Sequence, residues 1–195
     1  MNSASEDIAQ AAARLVVDDG LEYGAAKRKA ARDLSRRQGR RSELPSNEAI
    51  EDEVRDYLAL FQADTQPNEL EALRRLAAQW MQRLEQFRPH LAGAVWRGTA
   101  TRRSTVQIEL YCDDPKAAEF ELLDKRISFE PIGQPDGPDL LRIEAPCADL
   151  GEAIAIVLHV LDRDDLRGGL KPDARGRTWR GDLPALQRLL AGSAR

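Results

Sequence analysis

The feature that most constrains the fold is a change in hydrophobic periodicity near Leu91. Before this point, apolar residues recur every three or four positions, which is the pattern of amphipathic helices. From Thr105 to Cys112, apolar and polar residues alternate strictly, and this period of two indicates a half-buried strand. The sequence therefore predicts an α+β fold with an N-terminal helical region followed by a sheet.

Four helical segments are predicted before the change, in residues 5–19, in the part of residues 25–41 that holds Lys27 to Arg32, and in residues 46–61 and 69–87. Gly20 closes the first of them, and Pro89 follows the last. The break around Pro67 divides the chain into a helical region, residues 1–68, and an α+β domain, residues 69–195.

About four strands are predicted in the second region, with flanking helices and a mixed sheet. They cover residues 105–112, 127–132, 140–145 and 153–161. The last of these is apolar on both faces, which favours a central strand and makes His159 a core histidine. The polar segment 162–181 is predicted as a surface loop, either disordered or folded over the sheet with arginines such as Arg180 facing an anion. A final helix follows Asp182.

Composition excludes several classes of site and partner. The two cysteines are far apart and in no CxxC spacing, and there are only two histidines, so we expect no resident metal. The net charge of −4 gives no general case for a nucleic-acid or membrane partner. The N-terminus lacks the apolar core of a secretory signal, and no run is long enough to span a membrane. We expect a cytoplasmic protein with no membrane partner.

The loop between the helical and strand patterns reads GTATRRS, from Gly98 to Ser104. It combines a flexible glycine, three hydroxyl side chains and two arginines. Such a loop suits phosphate binding, and it equally suits an ordinary turn. Composition alone leaves both interpretations open.

The stretch around this loop resembles the signature of the nucleotidyltransferase superfamily, which includes DNA polymerase beta and the minimal nucleotidyltransferases. The family pattern runs roughly L-F-G-S-x-A-R-G-T-A-x-x-x-S-D-I-D-L. The positions that agree without a gap are Leu91, Gly93, Arg97, Gly98, Thr99, Ala100, Ser104, Val106 and Ile108. The predicted elements on either side agree as well, so the resemblance implies a nucleotidyltransferase-like fold over roughly residues 70–162.

The same resemblance implies a changed site. In the family, a Gly-Ser pair holds the nucleotide, and two aspartates on alternate strand positions bind Mg²⁺ together with a later carboxylate. Here Ala94 replaces the serine, and Thr105 and Gln107 replace the aspartates. Threonine and glutamine offer only neutral oxygens, which do not offset the charge of a hard divalent cation.

We therefore expect a catalytically degenerate protein that binds a nucleotide or another phosphate-containing ligand. The residues expected at the ligand are Gly93, Arg97, Gly98, Thr99, Thr101, Arg102, Arg103, Ser104, Thr105 and Gln107. The alternative is an active nucleotidyltransferase with a shifted Mg²⁺ site, built from Glu109 and a later carboxylate, Glu144 or Glu130. The sequence leaves open whether the chain is an enzyme.

A third hypothesis rests on the basic segment from Lys27 to Arg41. It holds eight cations and the single acid Asp33, so it is the strongest charge block of the chain. Clustered lysine and arginine bind nucleic acid by releasing counterions. The competing interpretation is a solvated helix face that pairs with the acidic helix that follows it.

Overall fold

The structure, a computed structural model, describes residues 3–38, 43–133, 139–167, 171–173 and 175–193. These residues form seven α-helices and one mixed sheet of six strands, so the α+β class is confirmed. The chain divides into two compact units. The helical unit comprises residues 1–69 and 99–104, and the sheet unit comprises residues 70–98 and 105–195.

The helical unit is built on three amphipathic helices. They are α1 (Ser3–Asp19), α2 (Tyr23–Gln38) and α3 (Asn47–Phe61). Their buried faces supply a core in which α1 contributes alanines and valines, and α3 contributes Ile50, Val54 and Leu58. The small Ala26 and Ala30 of α2 are also buried there, and alanines at a helix contact allow a close approach.

The loop of residues 99–104 packs within this helical unit. Gly20 ends α1 with a φ of +68°, a conformation that side chains other than glycine rarely adopt. A Cβ atom at Gly20 would collide with the backbone carbonyl of Arg103. Gly20 is therefore required both by its backbone angle and by the close approach of the loop.

The sheet unit contains the remaining helices and all six strands. The helices are the greater part of α4 (Gln66–Arg83), α5 (Gly93–Arg97), α6 (Ala117–Asp124) and α7 (Leu183–Ser193). The strands are β1 (His90–Ala92), β2 (Val106–Cys112), β3 (Glu130–Pro131), β4 (Asp139–Cys147), β5 (Glu152–Asp162) and β6 (Arg180–Asp182). Their order is β3-β4-β5-β2-β1-β6, with β2 and β5 parallel and every other pair antiparallel.

The two faces of this sheet differ in polarity. Residues that pair across adjacent strands share a face, and alternate residues along a strand point to opposite faces. One face carries fully buried apolar side chains, including Ile108 of β2, Ile156 of β5 and Leu141 of β4. The other carries Gln107, Glu109 and their neighbours, so the functional groups of the sheet collect on this second face, which we call the polar face.

The sheet has more strands than the sequence predicts. The four predicted strands correspond to β2, β3, β4 and β5, although β3 is only a two-residue pair. The predictions missed β1 and β6, each three residues long, because such short strands show no periodicity. Part of the predicted loop 162–181 is thus a strand. The sequence QPDGPD, residues 134–139, predicts a turn, and its residues 134–138 lie outside the described residues. Among the described residues, no helix is long and apolar enough to cross a membrane.

The close approach at Gly20 gives a testable prediction. Gly20 and Gly151 have the same φ of +68°, but nothing lies within 4 Å of a Cβ at Gly151. Both Gly→Ala variants should suffer the backbone penalty, and only Gly20→Ala should suffer the clash with the Arg103 carbonyl. We expect Gly20→Ala to lower the free energy of unfolding by about 1–3 kcal/mol more than Gly151→Ala. Urea denaturation measures this difference, and equal losses would contradict the packing described.

Candidate functional site

The polar face presents a row of ionisable side chains across its central strands. Glu109 of β2 pairs with His90 of β1 on one side and with His159 of β5 on the other. The adjacent row on the same face places Gln107 beside Ala92 of β1. The sheet register therefore places the Glu109 carboxylate between two imidazoles, with one amide in the adjacent row.

Glu109 is the centre of a hydrogen-bonded network. The Arg180 Nη1 atom lies 2.7 Å from Glu109 Oε2 and donates to the Tyr111 hydroxyl oxygen, also at 2.7 Å. The Tyr111 hydroxyl donates in turn to Glu109 Oε2 at 2.6 Å. The side chains of Arg180 and Glu109 are only 25% and 13% exposed. A half-buried carboxylate is thus neutralised by a guanidinium, which is permanently charged in proteins.

One polar atom of this network is left over. Arg180 Nε is buried and has no hydrogen-bond partner among the described residues. Buried donors are nearly always satisfied in folded proteins, by the protein itself, by water or by a ligand. This donor could therefore still bind an oxygen-bearing partner.

Burial sets the protonation states of Tyr111 and His159. Burial, with the hydrogen bond to and the charge of Glu109, raises the pKa of Tyr111 above its ordinary value, so the phenol remains a donor. Burial also lowers the pKa of His159 below its ordinary value of 6.5; Glu109 opposes this change and Arg180 adds to it. The Nε2 atom of His159 contacts Gln107 Oε1, which suits a neutral ring that donates to the amide oxygen.

The second histidine is held at the edge of this network. His90 Nδ1 lies 2.8 Å from the carbonyl oxygen of Arg88, so this nitrogen carries the donated hydrogen. Its ring meets Tyr111 edge-on, with the ring centroids 5.4 Å apart. His90 thus belongs to β1, and its ring is fixed by a carbonyl two residues earlier in the chain.

Arg97, predicted at the phosphate, is engaged elsewhere. Its Nη2 atom lies 3.0 Å from Asp173 Oδ2, and both side chains are almost fully buried. Its guanidinium also lies 4.2 Å from the ring centroid of Trp179. Asp173 further accepts backbone hydrogen bonds from Arg175 and Arg177, and these bonds and the Arg97 guanidinium lower the pKa of its carboxyl. Arg97 therefore anchors the segment that leads into β6.

The predicted phosphate-binding residues divide between the two units. Gly93, Arg97, Gly98, Thr105 and Gln107 belong to the sheet unit, whereas Thr99, Thr101, Arg102, Arg103 and Ser104 belong to the helical unit. Gly93 and Gly98 bound the short helix α5, with φ values of +66° and +84°. Of the sheet-unit set, Gln107 is linked to Glu109 through His159, which contacts the Gln107 side chain and pairs with Glu109 across the sheet.

The loop hydroxyls serve the helical unit. Thr99 Oγ1 lies 2.5 Å from the Tyr23 hydroxyl, and Ser104 Oγ accepts from the backbone N–H of Thr101 at 3.0 Å. The backbone N–H of Arg102 donates to Glu69 at 2.9 Å, and Arg103 donates to the carbonyl of Asp18. These contacts are those of a structural turn. A cavity of about 460 Å³ lies in this unit, and its lining includes Thr101, Arg102, Arg103 and the acids Asp18 and Glu69.

Glu109 and Glu144 do not come together. Glu144 pairs with Ala155 of β5, whereas Glu109 pairs with His159, four positions further along the same strand. Four positions correspond to about 13 Å. Glu144 is exposed and accepts from Arg142, and Glu130 lies on the edge strand β3. The register separates the carboxylates proposed for a shifted metal site.

Neither a metal cluster nor a reactive thiol is evident. Within the described ranges, no group of three or more His, Cys, Asp and Glu side chains is placed to hold a metal ion. Cys112 and Cys147 are free and buried. Burial, with the nearby charges of Asp114, Asp113 and Asp162, raises the pKa of Cys112, which disfavours a thiolate nucleophile.

Comparison with known proteins gives no relative. No protein-family model matches the chain, and neither a curated protein nor a solved structure matches it. The function must therefore be argued from the residues of the site. Sequence reasoning offered Arg180 as one of several cations that could face an anion, but it missed the site roles of Tyr111 and His159. The alternation of Gln107, Glu109 and Tyr111 on one face of β2 was the signal that pointed to this face.

The Glu109 network predicts unequal effects for two glutamates. Glu109→Gln removes the carboxylate from the half-buried Arg180 guanidinium, so we expect the free energy of unfolding to fall by about 2 kcal/mol. Glu144→Gln breaks an exposed pair with Arg142 and should cost at most about 0.5 kcal/mol. Urea denaturation of both variants checks this, and similar losses would contradict a neutralising role for Arg180.

His159 predicts a pH dependence of stability. Because its folded pKa lies below that of the unfolded chain, the unfolded state binds more protons as the pH falls below about 6.5. The contribution of His159 to the free energy of unfolding is complete above that pH, and it is lost as the pH falls towards the pKa of the folded state. Unfolding free energies at pH values between about 5 and 7 should therefore rise less steeply with pH in His159→Gln than in the natural protein. Equal slopes would show that His159 titrates normally.

Proposed function

We propose that this chain is a nucleotidyltransferase-like protein that binds a nucleotide or another phosphate-containing ligand on the polar face of its sheet, without transferring it. The proposal is supported by the resemblance of residues 91–108 to the superfamily signature. One structural observation carries it furthest. The Arg180 guanidinium, still holding a buried donor with no partner among the described residues, lies 2.7 Å from Glu109 on β2.

A guanidinium can take over part of what a metal does at such a site. In the superfamily, carboxylates on the strand equivalent to β2 hold the Mg²⁺ that meets the phosphate. Here the neutral Thr105 and Gln107 stand at those positions, and the cation beside the remaining carboxylate is Arg180. Arginine binds phosphate oxygens through paired N–H donors and needs no metal to do so.

The sheet register indicates where the ligand would bind. Arg180 of β6 and Gln107 of β2 both pair with Ala92 of β1, so the three lie in one row with the smallest side chain in the middle. A phosphate above Ala92 would have a cation on one side and an amide on the other. His159, which contacts Gln107, would orient that amide.

The geometry favours binding over catalysis. Glu109 already accepts hydrogen bonds from Tyr111 and Arg180, so its charge is offset without a metal. The active alternative also needs the later carboxylate of Glu144. Glu144 lies on β4, two strands from β2, and accepts hydrogen bonds from Arg142 of its own strand. The active alternative therefore needs a rearrangement of both carboxylates.

The proposal is tested by measuring the melting temperature in the presence of nucleoside triphosphates or pyrophosphate. Each ligand is added with and without Mg²⁺. We expect the melting temperature to rise with ligand concentration equally in both conditions. A ligand at about 100 times its dissociation constant stabilises the folded state by about 2.7 kcal/mol. The Arg180→Gln variant should lose this shift, and Arg142→Gln, an exposed arginine on the same face, should keep it.

Two outcomes would contradict the proposal. If no ligand raises the melting temperature, the polar face is not a phosphate site. If α-labelled nucleotides transfer label in the presence of Mg²⁺, and the label disappears in Glu109→Gln, the chain is an active nucleotidyltransferase.

A further inference from the structure

The helix α2 is strongly basic on the part that the structure describes. It carries Lys27, Arg28, Lys29, Arg32, Arg36 and Arg37, and its single acid is Asp33. The whole chain has a net charge of −4, so this helix opposes the charge of the protein that carries it. Arg40 and Arg41, which extend the basic segment, lie outside the described residues.

Three of these cations form a stripe. Arg28, Arg32 and Arg36 are four residues apart, and residues at this spacing lie on one helix face. All three are exposed, and none forms an ion pair or a side-chain hydrogen bond with another described residue. We call these three residues the arginine stripe.

The neighbouring lysines behave differently. Lys27 donates to Asn47 at 2.9 Å, and Lys29 pairs with Asp19 at 3.2 Å. The helical unit therefore satisfies the two lysines beside Arg28, whereas the arginine stripe has no partner among the described residues. The interpretation that the basic helix simply pairs with the acidic α3 does not account for the stripe.

The buried side of α2 explains why the stripe faces outward. Ala26 and Ala30 are buried in the core of the helical unit, and Leu34 packs against that core. The helix thus already buries its apolar side. Its exposed side offers guanidinium groups in place of apolar anchors.

We propose that the arginine stripe binds the phosphate backbone of a nucleic-acid duplex. Arg36 follows Arg28 by eight positions along the helix, a rise of about 12 Å. A duplex presents about one negative charge per 1.7 Å of its axis, so several phosphates lie within that reach. Arginine suits phosphate better than lysine does because its planar fork donates two parallel hydrogen bonds.

Charge and polarity favour nucleic acid over other anionic partners. A basic helix that inserts into a membrane surface needs an exposed apolar side, and the apolar side of α2 is buried. Protein partners are usually held by aromatic or other large anchors, and the stripe has none. Regularly spaced and unpaired guanidinium groups match a regularly spaced polyanion.

The proposed binding depends on the phosphate backbone of the nucleic acid and does not depend on its base sequence. The single aromatic residue of α2 is Tyr23, whose hydroxyl is held by Thr99 at 2.5 Å. Without aromatic side chains beside the arginines, single-stranded bases have nothing on which to stack. Duplexes are therefore preferred to single strands of the same length.

The test compares two triple variants of the full chain. In the first, Arg28, Arg32 and Arg36 are changed to glutamine, which favours helix well. In the control, the exposed cations Arg83, Lys125 and Arg188 of the sheet unit are changed to glutamine, so that the net charge falls equally. Affinity for a mixed-sequence duplex RNA, a duplex DNA and a single strand is measured by fluorescence anisotropy over a range of salt concentrations.

We expect the natural protein and the control variant to bind the duplexes with a steep dependence on salt. The stripe variant should bind at least tenfold more weakly at low salt. Its slope of log affinity against log salt should be smaller by about 2–3, because each lost phosphate contact removes about 0.9. Arg180→Gln should bind duplex normally, which separates this surface from the polar face of the sheet.

Several results would overturn the proposal. They are the absence of duplex binding, an equal loss in the two triple variants, and binding by the stripe variant with an unchanged salt slope. A stripe-dependent interaction with anionic vesicles or with polyglutamate, in the absence of duplex binding, would also overturn it and would assign the surface to a membrane or an acidic protein. Urea denaturation of both variants confirms that any loss comes from the surface and not from unfolding.

Discussion

The half-buried carboxylate of Glu109 has to be neutralised, and the way in which Arg180 neutralises it organises the sheet unit. A carboxylate with 13% of its surface exposed is costly unless a cation and hydrogen-bond donors accompany it. Arg180 reaches it from β6, and Tyr111 reaches it from the same strand. The short strand β6, far along the chain from β2, therefore completes the polar face.

The path of the chain into β6 depends on two residues of α5. Trp96 donates to the carbonyl of Thr178 at 2.9 Å, and its ring lies where a side chain at position 181 would be, so only glycine fits there. Arg97 holds Asp173 and stacks on Trp179. In the nucleotidyltransferase resemblance Arg97 stands beside the ligand, but in this chain it supports the segment that delivers Arg180. Arg97 thus has a structural role, and the cation beside Glu109 comes from β6.

The two proposed anion sites differ in their physical basis. On the polar face, one guanidinium is partly buried and held by a carboxylate, so it can distinguish the shape of a small ligand. On α2, three exposed guanidinium groups lie along a helix and are held by no partner among the described residues, so they can respond only to charge density and spacing. The first arrangement suits a single phosphate-containing molecule, and the second suits a polymer.

The sequence by itself determined the helices and strands that are long enough to show a repeating pattern of apolar residues. The periodicity of three or four residues predicted α1, α3 and α4, and strict alternation predicted β2, because burying one face of an element requires that pattern. It also predicted the central position of β5, which lies between β4 and β2. Three-residue strands carry no such pattern, so β1 and β6 remained invisible.

Only the tertiary structure decided which polar side chains meet. Gln107 became a candidate site residue through the nucleotidyltransferase resemblance, and Glu109 because it lies one step further along the same face of β2. Their partners Arg180 and His159 come from strands that the register places beside them, and Glu144 is separated from Glu109 by the same register. The loop hydroxyls of Thr99 and Ser104 had the composition of a phosphate loop, but their contacts are with the helical unit. The residue type determines which bonds a side chain can make. The pairing of strands that are distant in sequence determines which partners it meets.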